Sequence, residues 1–373
     1  MRILLSPDKF RGSLTARQVA DAMAEGARLA LPDAAIVTLP LADGGEGTAA
    51  VLTEATGGTW QTTTVCDPLG RPVEAGFGVS GDGRTAFIEM AQASGLALLT
   101  ISERDPGQTN TFGTGELVQR AVATGAMHIV LGIGGSATND GGIGMAAALG
   151  WQFLDASGFT LDAIGNNLIH IRKLVPPPTP PAPGVQFRVA CDVTNPLCGP
   201  AGATFVYGPQ KGATPEQLVS LDAGLQNLAQ CIHEQFDIDV ASVPGSGAAG
   251  GLGAGALFFL NATLQPGIDL ILDAVGFDKH LSGADLVLTG EGKLDRQTLD
   301  GKLLKGVTDR ANQANIQVVA LCGTLDLNPA DLDMLGVRAA FSVLTKPQSL
   351  AEAILTAHDD VVRATFAVCR LFF

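Results

Sequence analysis

Acidic or cationic side chains recur in six polar segments of this chain, five of them with glycines, each after a run of apolar residues. Ser6-Pro-Asp-Lys-Phe-Arg-Gly-Ser13 carries Asp8, Lys9 and Arg11. Asp43-Gly-Gly-Glu-Gly-Thr48 sets Asp43 and Glu46 around a glycine pair. Gly132-Ile-Gly-Gly-Ser-Ala-Thr-Asn-Asp-Gly-Gly142 offers Gly134, Gly135, Ser136, Thr138, Asn139 and Asp140. Ala190-Cys-Asp-Val-Thr-Asn-Pro-Leu197 presents Asp192 and Asn195, and Gly208-Pro-Gln-Lys-Gly-Ala213 presents Lys211. Thr289-Gly-Glu-Gly-Lys-Leu-Asp-Arg-Gln-Thr298 holds Gly290, Glu291, Lys293 and Asp295. Cations in such turns clamp a carboxylate or phosphate. Glycines let backbone N–H groups close on an anion. Carboxylates hold Mg²⁺ through oxygen or take a proton from a hydroxyl. Helix capping and salt-bridged turns are the plainer uses of the same residues. Together the loops suggest phosphoryl transfer, which asks mainly for positioning, bridged phosphates and a base.

Other chemistries lack their signatures. The histidines His128, His170, His233, His280 and His358 lie outside these loops and read as structural. There is no G-x-x-x-x-G-K-[ST], no H-E-x-x-H and no G-x-S-x-G. G-x-G-x-x-A occurs at Gly132–Ala137 and Gly142–Ala147, which keeps an NAD(P)-dependent dehydrogenase of a small hydroxy acid as the alternative. No acid about 20 residues beyond either turn ends a clear second strand, which counts against it. A non-catalytic sensor of a carboxylic acid would need fewer charged loops.

The elements that must position these loops alternate from the start. Arg2–Leu5 reads as a strand, and Thr15-Ala-Arg-Gln18 as a capping box. Val19, Ala22, Met23, Gly26, Ala27 and Ala30 then fall on one helical face. Ala35–Leu41 reads as the next strand, with a helix closing near Gly57 and Gly58. Near the other end, strands at 285–289, 317–322 and 337–344 alternate with helices, the last from Ser349 to about Phe366. Between them, 62–79 and 84–89 read as β structure. Pro176–Pro183 is an extended loop, and Thr214-Pro-Glu-Gln217 is a firm helix start. This order predicts an α/β protein of two domains. Residues 1–63 and 284–373 would form a discontinuous Rossmann-like, doubly wound parallel-sheet domain. Residues 64–283 would form an inserted mixed α/β domain.

With 373 residues, 46% of them apolar, the chain is too long for one compact core. Its net charge of −14 argues against nucleic acid or an anionic membrane as partner. The six cysteines form no C-x-x-C pair and read as thiols of a reducing compartment. Residues 240–268 carry no charge; Pro244, Asn261, Pro266 and several glycines break the run, so a buried loop and helix are expected rather than a membrane span. A cytoplasmic protein is expected.

Read together, these segments resemble the bacterial glycerate kinase family that phosphorylates glycerate at its 2-hydroxyl. The likeness rests on Ser6–Leu14, Pro40–Thr48, Ile133–Gly142, Ala190–Leu197, Gly208–Ala213 and Thr289–Thr298, in family order across nearly the whole chain. It implies ATP, Mg²⁺ and D-glycerate as reactants, with 2-phosphoglycerate and ADP as products. It also implies an active site in the cleft between two α/β domains. Position 2 rests on the resemblance alone, so phosphorylation of the 3-hydroxyl stays as a further alternative. Within that scheme Arg11 or Lys9 would pair with the glycerate carboxylate. Arg11 stands where the family more often has lysine, and arginine binds anions in a planar, bidentate way. The 134–140 loop would bind hydroxyls or phosphate oxygens. Asp192 or Asp43 would accept the proton of the attacking hydroxyl, with Glu46, Glu291 and Asp295 as candidates for Mg²⁺. Lys211 and Lys293 would neutralise the transferring phosphoryl group. Phe372 and Phe373 would pack on the body or on a neighbouring subunit, which leaves a homodimer open.

Overall fold

The computed structural model describes residues 1–41, 47–180, 182–299 and 303–373. The chain divides into two compact units, Met1–Asp43 with Ile268–Phe373, and Gly44–Gly267. The sequence placed these edges at 63/64 and 283/284. The strand Thr59–Cys66 belongs to the second unit because it pairs along its length with Pro72–Val79. Gly267–Ala274 and Phe277–Leu281 go with the first, where Arg310 bonds Asp273 and Asp278. Among the described residues no helix is long and apolar enough to cross a membrane.

In the first unit, five parallel strands lie in the order Ala339–Ser342, Gln317–Leu325, Leu286–Leu294, Arg2–Pro7, Ala35–Thr38. Ile3, Leu5, Leu286, Leu288, Val319 and Leu321 turn to one face and pack with the helices Ala16–Ala30 and Leu350–Phe372. Leu4, Val287, Val318 and Ala320 alternate to the other face, where Leu303–Gln313 lies against the strands. The progression of strands reverses between Arg2–Pro7 and Leu286–Leu294, so right-handed crossovers place helices on both faces. This is a doubly wound sheet, with its switch point between those two strands. The capping boxes at Thr15 and Thr214 form as their sequences predict, and Ser349 forms another at the start of the last helix.

The second unit has a six-stranded mixed sheet. Its order is Thr263–Gln265, Gln186–Ala190, His128–Gly132, Thr85–Glu89, Pro72–Val79, Thr59–Cys66. The first four are parallel, and the last two join by antiparallel pairing. Register aligns Glu89, Gly132, Ala190 and Gln265 in one row across the sheet. The loops leaving Glu89, Gly132 and Ala190 therefore emerge side by side at the carboxyl ends of the strands.

The apolar 240–268 stretch folds as a buried loop and the helix Ala248–Phe259. Ala249, Gly250 and Gly251 take left-handed conformations there. A Cβ on Gly250 would sit 2.0 Å from the Thr138 carbonyl oxygen, so glycine permits the chain to press against the 138–142 loop.

Candidate active site

The second unit holds a buried cluster under the glycine turn. Gly134 and Gly135 are exposed, while Thr138, Asn139 and Asp140 have no solvent exposure. Asp140 accepts hydrogen bonds from Thr111 N (2.8 Å), Thr111 Oγ1 (2.7 Å), Gly142 N (3.0 Å) and Gly144 N (3.2 Å). Burial pushes its carboxyl above the usual range, and those four donors pull it back. Its oxygens are thus engaged inside the protein and tie the loop to the helices on either side. Asn139 pairs with Thr204 Oγ1 at 3.1 Å.

Lys211 reaches into the same cluster from the turn Pro209–Lys211. It is 1% exposed, and its Nζ donates to Ser136 Oγ and to the Thr138 carbonyl, each at 2.7 Å. Burial lowers its pKa to about 7, while the charge of Asp140 acts to raise it. Ser136 is therefore held from below by an amine that changes charge near neutral pH.

Two residues beyond Ala190, Asp192 is exposed and accepts from Gly267 N at 2.8 Å through Oδ1. Among the described residues its Oδ2 has no partner. Asn195 serves the loop itself, donating to the Ala201 carbonyl (2.8 Å) and accepting from Tyr207 OH (2.7 Å). Glu89 carries no role in the sequence reading. Its carboxylate is 6% exposed and caps the helix Thr48–Ala55 through Gly47 N (3.2 Å) and Ala49 N (2.9 Å). An acid closing the apolar run Thr85-Ala-Phe-Ile-Glu89 was the signal available for it. Asp43 and Glu46, which precede that helix, lie outside the described residues.

The first unit gathers its charges at the switch point. Asp8 is 5% exposed, and its N–H donates to the Gly290 carbonyl at 2.8 Å. Lys9 N donates to Asp8 Oδ1 at 2.7 Å. Arg11 is exposed, and its backbone N lies 3.1 Å from where a Cβ on Gly292 would stand.

The stretch from Gly290 to Leu294, expected as a loop, instead continues the strand Leu286–Leu294. It stays paired with the neighbouring strand as far as Leu294–Leu325. The glycines removed side chains rather than the ladder, so pairing ran on past Thr289. Glu291 and Lys293 consequently share one face. Glu291 accepts from Thr298 Oγ1 at 2.7 Å, and Asp295 N donates to the same hydroxyl at 3.2 Å. Lys293 pairs with Asp295 at 2.8 Å, which raises the lysine pKa. Among the described residues no group of three or more His, Cys, Asp or Glu side chains is placed to hold a metal ion. Carboxylates such as those of Glu291 and Asp295 are hard oxygen donors, and Mg²⁺ on a nucleotide commonly takes only one or two.

Neither G-x-G-x-x-A turn has the geometry of a dinucleotide fingerprint. The first leaves a strand but reaches a helix only after Gly142, and the second begins at the cap of Ile143–Ala148 with no strand leading into it.

A doubly wound unit with cations and acids at its switch point, and a second sheet presenting a carboxylate and a buried lysine, describe a phosphotransferase better than a dehydrogenase. The model of the glycerate kinase family matches residues 3–373. The chain is 44% identical over 366 residues to the glycerate 2-kinase of Escherichia coli strain K12, covering 98% of this chain and 96% of that one. It is 45% identical over 353 residues to a glycerate kinase of Halalkalibacterium halodurans, covering 94% and 93%. The crystal structure of a Salmonella typhimurium LT2 protein assigned as glycerate kinase 2 superposes with a TM-score of 0.92 at 43% identity, covering 100% of this chain and 98% of that one. The chain belongs to the glycerate kinase family.

Proposed function

We propose that this protein transfers the γ-phosphoryl group of ATP to the 2-hydroxyl of D-glycerate, giving 2-phosphoglycerate and ADP. The observation that carries this reading is the near-full-length likeness to the Escherichia coli protein named glycerate 2-kinase. The geometry supports it in each unit.

In the second unit, Oδ2 of Asp192, without a partner among the described residues, takes the proton of the attacking hydroxyl. The hydroxyl oxygen bonds phosphorus as the bond to the ADP oxygen breaks. The exposed amides of Gly134 and Gly135, with Ser136 held by Lys211, bind oxygens of the acid or of the transferring group. Asp140 and Asn139 keep that turn in shape. Asn195 holds the loop that carries Asp192.

In the first unit, Lys9, Arg11, Gly290 and Lys293 receive the nucleotide phosphates. The sequence paired Lys9 or Arg11 with the glycerate carboxylate. Their place at the switch point, where open α/β sheets bind nucleotides, favours the phosphates instead. Glu291 and Asp295 would hold Mg²⁺, which when bound neutralises charge building on the phosphate oxygens.

The decisive assay supplies ATP, Mg²⁺ and D-glycerate, with enolase coupled directly to the product and no mutase. Immediate phosphoenolpyruvate is expected. ADP release with an enolase signal only after mutase is added would move phosphorylation to the 3-hydroxyl. No glycerate-dependent ADP from folded protein would sink the reading.

A further inference from the structure

A cavity of about 290 Å³ opens beside the switch-point turn of the first unit. It lies on the face shared by Leu286 and Leu288, between the 10–13 turn, the ends of three strands and the start of Leu350–Phe372. We infer that this cavity is the nucleoside subsite: it takes the adenine ring of ATP, with the phosphates leaving it past Arg11. The inference rests on the kinase reading above and adds where the nucleotide sits.

Size and lining select the ligand. The volume is near the lower end of the roughly 300–1,000 Å³ typical of small-molecule sites. Its apolar walls are formed by Phe10, Val343, Leu344, Leu350 and Ile354, beside a polar part of the lining. Leu350 is 78% exposed, Ile354 39% and Leu344 38%. Large apolar side chains left in water around one cavity mark a surface that a flat apolar ligand covers. A three-carbon hydroxy acid is too small to cover these apolar walls, whereas a purine ring spans them.

The floor is made by Gly292 and Gly323, neighbours on adjacent strands. A Cβ on Gly323 would stand 2.7 Å from the Gly292 carbonyl oxygen, and one on Gly292 3.1 Å from Arg11 N. Bare backbone at both positions keeps the chamber open.

Its polar lining comes from Arg11, Ser13, Thr324, Gln348 and Asp360, the last bonded to Thr356 Oγ1 and Arg363. Ser13 Oγ is buried and has no partner among the described residues. Gln348 lines the cavity and holds Thr356 Oγ1 at 3.3 Å, a weak bond that leaves its amide oxygen to accept from an exocyclic amine. A glutamine amide matches the N6/N7 edge of adenine. Arg11, exposed at the same rim, meets the phosphates as they emerge.

Two measurements on the intact enzyme test this. Photolabelling with 8-azido-ATP should mark the 343–357 segment, and excess ATP should suppress the label. Ala353, half-buried on the cavity wall, is replaced in Ala353→Trp to fill the chamber from a helix surface. The KM for ATP should rise about tenfold or more, with the KM for D-glycerate and the thermal midpoint unmoved. Label on another segment, or an unchanged KM for ATP in folded Ala353→Trp, overturns the subsite while wild-type turnover leaves the kinase reading standing. Wild-type protein that makes no glycerate-dependent ADP overturns both. Should Ala353→Trp not fold, the position of the label decides alone.

Discussion

The two charged clusters of this protein use the same residue types in opposite ways. Around Asp140 and Lys211 in the second unit, charge is buried and occupied by the fold. Around Arg11 and Lys293 in the first unit, it stands in solvent on strand ends. Burial makes the first cluster rigid and expensive to disturb, because each polar group has lost water and depends on its protein partner. Exposure makes the second cheap to alter structurally and available to a ligand. Substitutions should therefore damage folding in one cluster and binding in the other.

The largest effect is expected from Asp140→Ala. It strands the amides of Gly142 and Gly144 and the N–H and hydroxyl of Thr111. Chemical denaturation should show a loss of about 3–5 kcal/mol. A variant of wild-type stability would mean that the cluster is not the scaffold described.

Asp192→Asn comes next and should leave the fold intact. The variant should lose roughly 10²–10⁴ in kcat, with little change in the KM for D-glycerate, if this carboxylate takes the hydroxyl proton. Near-normal turnover would transfer that role to Asp43.

Lys211 makes a smaller prediction, about pH. Its folded pKa near 7 lies below the unfolded value of about 10.4, so between them the unfolded chain binds more protons. The stability of wild type relative to Lys211→Met should rise as pH goes from about 7 to about 10, by at most about 1.4 kcal/mol per unit. Below pH 7 the difference should stay level. A difference that falls with rising pH would contradict the burial assigned to this amine.

In the exposed cluster, Arg11→Ala should raise the KM for ATP more than that for D-glycerate, and added salt should narrow the gap to wild type. The reverse preference would return Arg11 to the acid's carboxylate. Lys293→Ala should do least to the fold: its pair with Asp295 is open to water, and calorimetry should find the thermal midpoint unchanged.

Much of this was legible from local pattern. Small and apolar residues at helical spacing marked Ala16–Ala30, and the boxes at Thr15 and Thr214 marked their helix starts, because these signals act within a few residues. The polar loops were found for the same reason. The use of each polar group was not legible. Asp140 and Asp192 both follow apolar strands beside small residues, yet one accepts four internal hydrogen bonds and the other keeps an open oxygen. Gly290-Glu-Gly reads as a turn by composition but runs on as strand, since ladder pairing with Gln317–Leu325 outweighs the weak strand preference of glycine.

The sequence by itself determined the α/β class, the position of the polar loops and the likeness to glycerate kinases, all of which depend on residue order alone. The tertiary structure decided the unit edges, the burial that brings Lys211 near neutrality, and the cavity beside Phe10 and Gly292. Those depend on partners up to hundreds of residues apart, and on which groups water can still reach.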